Sequence, residues 1–471
     1  MSDRPKTRQE LYDRIRASSR DEVTLEEMIR FGFWPRAGVV PEDPADELRR
    51  IGELRRELGA LAEERRALTN VAALKKQAHE ARLAASRQRQ QETKARRLAE
   101  RAARAAAWRE RAAREIHFLG DGVSGGLAAR GDGDEARLRA LGLPVLPDGP
   151  ALAAAMGIAV GELRFLAFAR AAAQITHYKR FTLPKKTGGE RRISAPMPRL
   201  KRAQHWILEH LLGKLTVAPQ AHGFVPGRSI VTNARPHVGA SVVVNLDLKD
   251  FFPSIELRRV KGLFRSFGYG EHTATILALL CTEPEVTTVE LDGLTYHVAT
   301  TARHLPQGAP TSPAITNALC ARLDKRLAGL ARKHAFAYTR YADDLTFSTR
   351  TATDPPVARL LARTRWILQK EGFTVHPDKL RVQRRGRRQE VTGLVVNERL
   401  GVPREALRRF RALLHRVETR GPEGAQWGDG RDLFASMRGF VRFVHMVDPE
   451  KARPLAAAVE RLATRFAAHA G

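Results

Sequence analysis

Three aspartates are placed to do chemistry together. Asp247 closes the run Val242-Val243-Val244-Asn245-Leu246-Asp247-Leu248, and Asp343 and Asp344 stand side by side beginning 96 residues later. A carboxylate at the end of a buried strand needs a counter-charge, and two neighbouring carboxylates repel each other. A divalent cation removes both costs, and magnesium takes oxygen ligands from one or two carboxylates together with substrate phosphates. Two such ions, ~3.5–4 Å apart, clamp the attacking and leaving oxygens of a phosphoryl transfer. An Asp-Asp pair in isolation carries far less weight, since most such pairs are solvated turn residues.

The surrounding residues say how the carboxylates are held. In 242–248 the alternation turns Val242, Val244, Leu246 and Leu248 to a core and Val243, Asn245 and Asp247 to the other face. A turn beginning at Lys249 or Asp250 leads to Phe251-Phe252. Two β-rich runs, 336–341 and 344–348, flank a two-residue turn, which predicts a hairpin with Asp343 at its tip and Asp344 opening the second strand. Between these elements, Leu305-Pro306-Gln307-Gly308-Ala309-Pro310-Thr311-Ser312-Pro313 reads as a loop entering a helix. Ser312 is the expected N-cap and Pro313 the first helical residue. Ile315, Leu319, Leu323, Leu327 and Leu330 form the apolar stripe.

Tyr341-Ala342-Asp343-Asp344 resembles the YxDD box of reverse transcriptases, Asp247 to Phe252 their first palm carboxylate motif, and Leu305 to Pro313 their PQG motif, in the right order. Asn233-Ala234-Arg235-Pro236-His237 resembles the NAxxH element of the retron branch and Val391-Thr392-Gly393 its VTG element. His177-Tyr178, the stretch Pro184 to Pro196 and Ala221-His222-Gly223-Phe224 are also retron-like. The chain is identified as a retron-type reverse transcriptase, of a branch with a long basic N-terminal extension. Group II intron and diversity-generating enzymes share the palm motifs without this combination. The alternative readings are another bacterial reverse transcriptase class, group II intron-like or abortive-infection type, and an RNA-binding scaffold with an inactive site. The intact Asp247, Asp343, Asp344, Gln307 and Phe252 argue against the scaffold.

The resemblance implies an α+β right-hand polymerase fold, with fingers, a palm and a helical thumb behind the helical extension. Asp247, Asp343 and Asp344 would be the catalytic and metal-binding residues, with Asp344 alternatively orienting the hairpin. Two Mg2+ ions are implied, with Mn2+ as a substitute. Phe252 would be the steric gate that selects deoxynucleotides, and Gln307 and Gly308 would line the dNTP pocket. Lys185, Lys186, Gly188 and Gly189 would belong to a fingers hairpin closing on triphosphate. Arg192, or Arg191 in the adjacent register, would bind the triphosphate. Lys379 would protonate the pyrophosphate leaving group. Asn233, Ala234, His237, Val391, Thr392 and Gly393 would help recognise a cognate noncoding RNA. DNA synthesis from a guanosine 2′-OH of that RNA would yield branched RNA-linked DNA (msDNA), in phage defence alongside an accessory effector.

Composition agrees with such partners without choosing them. The chain has 471 residues, a formal charge of +29 and 43% hydrophobic residues, and a sequence pI near 11.0. That excludes a wholly disordered tail and favours an acidic partner, nucleic acid ahead of anionic membrane. Cys281 and Cys320 form no disulfide framework or zinc set and suit a reducing cytoplasm. Residues 1–6 carry no apolar signal region, and no run approaches a membrane span. From Leu61 to Leu119 there is no Gly or Pro, which predicts one long helix or a helical hairpin, crowded with Arg96, Arg97, Arg101, Arg104, Arg111 and Arg114. Two short helices broken near Gly157 and Gly161 are expected in 151–173. A basic face with Arg404, Arg408, Arg409, Arg411 and Arg416 is expected in the last helical stretch. The expected divisions are 1–119, the basic helical extension; 120–150, a linker; 151–240, fingers; 241–396, palm; and 397–471, thumb.

Overall fold

A computed structural model describes residues 7–467 apart from 36–43, 130, 185–187, 352, 354 and 431. The chain forms two units, Met1–Trp108 and Arg109–Gly471. The first is helical. Thr7 and Glu10 make a capping box at the start of α1 (Arg8–Ala17), and Ser19 caps α2 (Arg20–Arg30). Arg14 pairs with Glu26 at 2.8 Å, and the nearly buried Glu22 pairs with Arg56 of α3 (Pro44–Thr69) at 3.0 Å. The expected long helix is interrupted at Asn70. Its Oδ1 accepts from Ala73 N at 3.1 Å and starts α4 (Val71–Arg114), as an Asn at an N-cap does.

Residues 120–150 are not a linker. Leu127, Leu138, Leu143 and Leu146 are buried with Ile116 and Leu119 in the main core of the second unit. The Gly, Asp and Pro punctuation describes the backbone correctly, but irregularly spaced leucines are buried from loops and from the short α5 (Glu135–Ala140). Helices α6 (Gly149–Met156) and α7 (Val160–Ala167) follow, the first ended by Gly157 at φ 67°. They bend by 102°, and among the described residues no single helix is long and apolar enough to cross a membrane. Leu152, Leu163 and Leu166 put this apolar pair into the core.

Strand β1 (Ala172–Ala173) precedes a hairpin of β2 (Tyr178–Pro184) and β3 (Glu190–Pro196), and α8 (Pro198–His210) and α9 (Ile230–Ala234) lead to β4 (Val242–Asp247). Helices α10 (Leu257–Phe267) and α11 (Glu271–Cys281), a second hairpin of β5 (Val286–Leu291) and β6 (Leu294–Ala299), and α12 (Ser312–Lys333) separate β4 from β7 (Ala337–Tyr341) and β8 (Asp344–Thr349). After α13 (Val357–Lys370) come β9 (Arg381–Arg384) and the small hairpin β10 (Glu390–Val391) and β11 (Leu394–Val395).

The central sheet is antiparallel in the order β7-β8-β4-β9. Val242, Val244 and Leu246 of β4 and Leu345 and Phe347 of β8 pack with Ile315, Leu323 and Leu327 of α12 in the main core. Leu319 and Leu330 lie at its margin. The cap of α12 shifts by one residue: Thr311 occupies the N-cap and Ser312 Oγ instead donates to Pro306 O at 2.8 Å. Val243 faces the other way, into a smaller cluster with Val231, Ala234, Val391 and Leu394. Helices α14 (Arg404–Arg420), α15 (Leu433–Val447) and α16 (Pro449–Ala467) form a bundle with its own core around Phe410, Met437 and Val459. Arg404, Arg408, Arg409, Arg411 and Arg416 are exposed on α14.

Candidate active site

The register of β4 and β8 sets Asp247 directly opposite Asp344. Both belong to the face that carries Asn245 and Thr346, away from the helical core. Asp343 sits in the two-residue turn that joins β7 to β8, and its carbonyl accepts from Leu248 N at 3.1 Å. Three carboxylates thus meet at one end of the sheet. Lys379, in a short 3-10 turn after α13, donates from Nζ to Asp247 Oδ2 at 2.8 Å.

The electrostatics follow from this crowding. Burial, then the negative charges of Asp343 and Asp247, push the Asp344 carboxyl up to about 7. Burial and Asp247 also raise Asp343, while Lys379 and Arg191 pull it the other way. Such a site attracts a cation or a proton.

The turn is held from beneath by residues whose role the sequence did not reveal. Ala342 adopts φ 57°, a left-handed conformation that costs a non-glycine residue roughly 1 kcal/mol. Arg340, with none of its surface exposed, donates from Nη1 to Ala342 O at 3.2 Å and to Asn317 Oδ1 at 3.1 Å. Its Nε and Nη2 make a bidentate pair with buried Asp324 at 2.9 and 2.8 Å. Tyr338 Oη donates to the same carboxylate at 2.9 Å. Asn317 Nδ2 donates to Gly223 O at 3.0 Å, and a Cβ on Gly223 would lie 2.6 Å from Ala342 N. The retron-like segment 221–224 therefore lies against the Ala342-Asp343 turn, with His222 N donating to Arg340 O at 2.7 Å. The available signal was an Arg inside a short strand and an Asp within an apolar helical stripe.

The fingers hairpin separates the two candidate arginines. Along β3 the side chains alternate, so Arg192 and Ser194 share one face and Arg191 and Ile193 the other. Arg192, expected at the triphosphate, pairs with Glu285 at 2.8 Å, whereas the Arg191 charge acts on Asp343. Gln307 and Gly308 lie against the same strand: Gln307 O accepts from Ser194 N at 2.7 Å, and a Cβ on Gly308 would meet Ser194 O at 2.9 Å. Gly308, at φ 121°, is needed for that approach. Phe251 is buried against Phe373, while Phe252 is half-buried with Phe224 at 6.3 Å between ring centres. Lys185 and Lys186 lie outside the described residues.

The two retron-like elements meet behind the sheet. Asn233, Ala234, His237 and Val391 are fully buried, which leaves their side chains no RNA-facing surface and corrects the expectation of direct contact. His237 instead bridges Ser348 Oγ at 2.7 Å and Thr339 Oγ1 at 2.8 Å, and burial holds its pKa down at about 3. Asn233 Nδ2 reaches Thr392 Oγ1 at 3.4 Å. Thr392, partly exposed at φ 47°, and exposed Gly393 form the tip of the β10–β11 hairpin.

Among the described residues, no group of three or more His, Cys, Asp or Glu side chains forms a ready-made metal cage. The donor set nevertheless fits a divalent cation. It offers hard carboxylate oxygens, with Asp344 raised by burial and then by the charges of Asp343 and Asp247, and such ions complete their coordination with water and phosphate.

The family described as "Reverse transcriptase (RNA-dependent DNA polymerase)" matches residues 183–396. The chain is 49% identical over 342 residues to the retron Mx162 reverse transcriptase of Myxococcus xanthus, covering 70% of this chain and 70% of that protein. It is 50% identical over 323 residues to the Mx65 enzyme of the same organism, covering 69% and 74%. It is 33% identical over 334 residues to the retron Ec86 enzyme of Escherichia coli, covering 70% and 94%. The family generally uses divalent metal ions. With its ordered carboxylates and these relatives, the chain belongs to the retron reverse transcriptases and is an RNA-directed DNA polymerase.

Proposed function

We propose that this polymerase copies a cognate structured RNA from a guanosine 2′-OH within that RNA, giving a branched, RNA-linked single-stranded DNA. The observation that supports it most is the placement of Asp247 opposite Asp344 with Asp343 at the adjoining turn. When bound, two Mg2+ ions, or Mn2+ in their place, supply the positive charge that lowers the primer hydroxyl pKa and neutralises charge developing at the α-phosphate.

The chain's own residues do the rest. Asp247 and Asp343 provide the ligand oxygens, and Asp344, raised to about 7, either completes the set or orients the hairpin. Arg191, rather than Arg192, faces the triphosphate, because its charge reaches Asp343 while Arg192 is engaged by Glu285. Lys379 holds a proton at the edge of the site, available to the pyrophosphate leaving group. Phe252 closes the pocket beneath the sugar, and Gln307 and Gly308 form its backbone wall. In this reading 151–240, 241–396 and 397–471 act as fingers, palm and thumb. The Thr392-Gly393 tip and the arginines of α14 contact RNA and duplex, in a cytoplasmic complex that serves phage defence with an accessory effector.

The test is to isolate the nucleic acid that co-purifies with the protein and with its Asp343→Asn variant. A branched RNA–DNA species with the unaltered protein, and RNA alone with the variant, is expected. Linear DNA unattached to RNA, or full DNA synthesis by Asp343→Asn, would overturn the proposal.

A further inference from the structure

Helix α4 has 44 residues, about 66 Å at 1.5 Å per residue. It carries thirteen Lys and Arg against four Glu. Its charges are not scattered. At 3.6 residues per turn, Arg82, Arg87, Arg89, Lys94, Arg97 and Arg101 fall within an arc of about 160°. The opposite side carries Ala81, Ala84, Ala95, Ala99, Ala102 and Ala106. All six basic side chains are exposed, and none has an ion-pair partner among the described residues. Glu100, the acid on the basic side, is taken up by Arg96 at 3.8 Å and Arg104 at 3.5 Å. Helix-stabilising Glu–Arg pairs would neutralise such a face, but here most of the charge is left over.

The chemistry that fits a long, predominantly basic helical face is a line of phosphates. Two features distinguish duplex from single strand. Single-stranded nucleic acid is gripped by stacking bases on successive aromatic side chains, and the 44 residues of α4 hold only Trp108 and His79, far apart along the helix. A helix of this length also spans about two turns or more of duplex, roughly 20 base pairs on the ~3.4 Å B-form spacing and a few more on the shorter rise of A-form RNA. Resting on the reading of this chain as an enzyme that works on structured RNA, we propose that the basic face of α4 binds the phosphate backbone of double-stranded RNA. It does so without reading sequence and outside the catalytic site, and so retains the paired stems of the template on the enzyme. With thirteen basic residues against four acidic ones, α4 accounts for nine of the chain's 29 excess positive charges.

The experiment uses the full chain and a variant with Arg82, Arg87, Arg89, Lys94, Arg97 and Arg101 all changed to Gln, which preserves helix propensity. The probes are a 20-base-pair RNA duplex of arbitrary sequence, an unstructured oligouridine and phosphatidylserine vesicles. Duplex affinity should fall about tenfold or more in the variant, and the slope of log K against log salt should shrink by about 3 or more. Oligouridine affinity and the rate of dNTP incorporation on saturating primed RNA should stay unchanged. A version with Lys at all six positions should bind duplex as the unaltered protein does, which separates charge from folding. Unchanged duplex affinity and salt slope in the Gln variant would overturn the proposal. So would equal losses for oligouridine and duplex, or α4-dependent binding to vesicles in place of duplex. Because binding is read without synthesis, loss of the polymerase reading and loss of this proposal give different results.

Discussion

Arg340 donates a hydrogen bond from its fully buried guanidinium to the carbonyl of Ala342, 3.2 Å away, and so ties the strained turn before Asp343 to Asp324 beneath the sheet. A buried ion pair is costly to assemble, and removing one partner typically costs ~3–5 kcal/mol. Its location suggests that it positions the turn. Arg340→Lys should keep the charge but lose the two-pronged grip. Single-turnover incorporation should fall about tenfold with little change in dNTP affinity, while Arg340→Ala should unfold at a markedly lower temperature. A Lys variant with unaltered rate but reduced melting temperature would assign Arg340 to stability alone.

The two neighbouring arginines of the fingers hairpin make a sharper comparison. Arg191 acts on Asp343, and Arg192 is held by Glu285 in an exposed pair worth little to stability. Arg191→Ala should raise the KM for dNTP about tenfold or more, the loss of one charge-assisted phosphate contact. Arg192→Ala should change it by less than about threefold. Steady-state kinetics of the two variants on the same primed RNA decide between them, and the reverse order would return the triphosphate to Arg192.

In the proposed function sugar selection rests on Phe252, which is half-buried near Phe224 and the core residue Phe251. Phe252→Ala should open space beneath the ribose. Discrimination against ribonucleotides, measured as a ratio of kcat/KM values, should drop by roughly tenfold to a hundredfold, the worth of a lost steric contact. The equivalent change at Phe251 should instead destabilise the protein by about 3–5 kcal/mol, because it empties part of the core.

His237 predicts a pH dependence of stability. Burial lowers its pKa in the fold to about 3, against 6.5 in the unfolded chain. Between those values the unfolded chain binds a proton that the fold excludes, so stability falls as pH falls, by about 1.4 kcal/mol per unit. Above 6.5 the contribution is constant. His237→Gln should be less stable at pH 7.5, having lost the bridge from Ser348 to Thr339, yet lose stability less steeply from pH 6.5 to 5. Urea denaturation of both proteins across that range measures the difference, and parallel slopes would refute it.

The sequence alone determined what is local or periodic. The alternation of 242–248 placed Asp247 on the face opposite the core, since a pleated strand leaves no other choice. The two-residue spacing between β-rich runs placed Asp343 in the turn, and the motif order with its retron-like elements pointed to the family. What the tertiary structure decided depends on which distant surfaces meet. Strand registers bring Asp344 opposite Asp247 and put Arg191 and Arg192 on opposite faces of β3, where Arg192 is taken up by Glu285. Asn233, Ala234, His237 and Val391 resembled recognition residues but are buried, because β4 is covered on both faces. The leucines of 120–150 joined the core without any period that could announce them. Arg340 and Asp324 stand 16 residues apart and satisfy each other only when α12 packs under β7. A buried charge is legible in a sequence only through its partner, and folding chooses the partner.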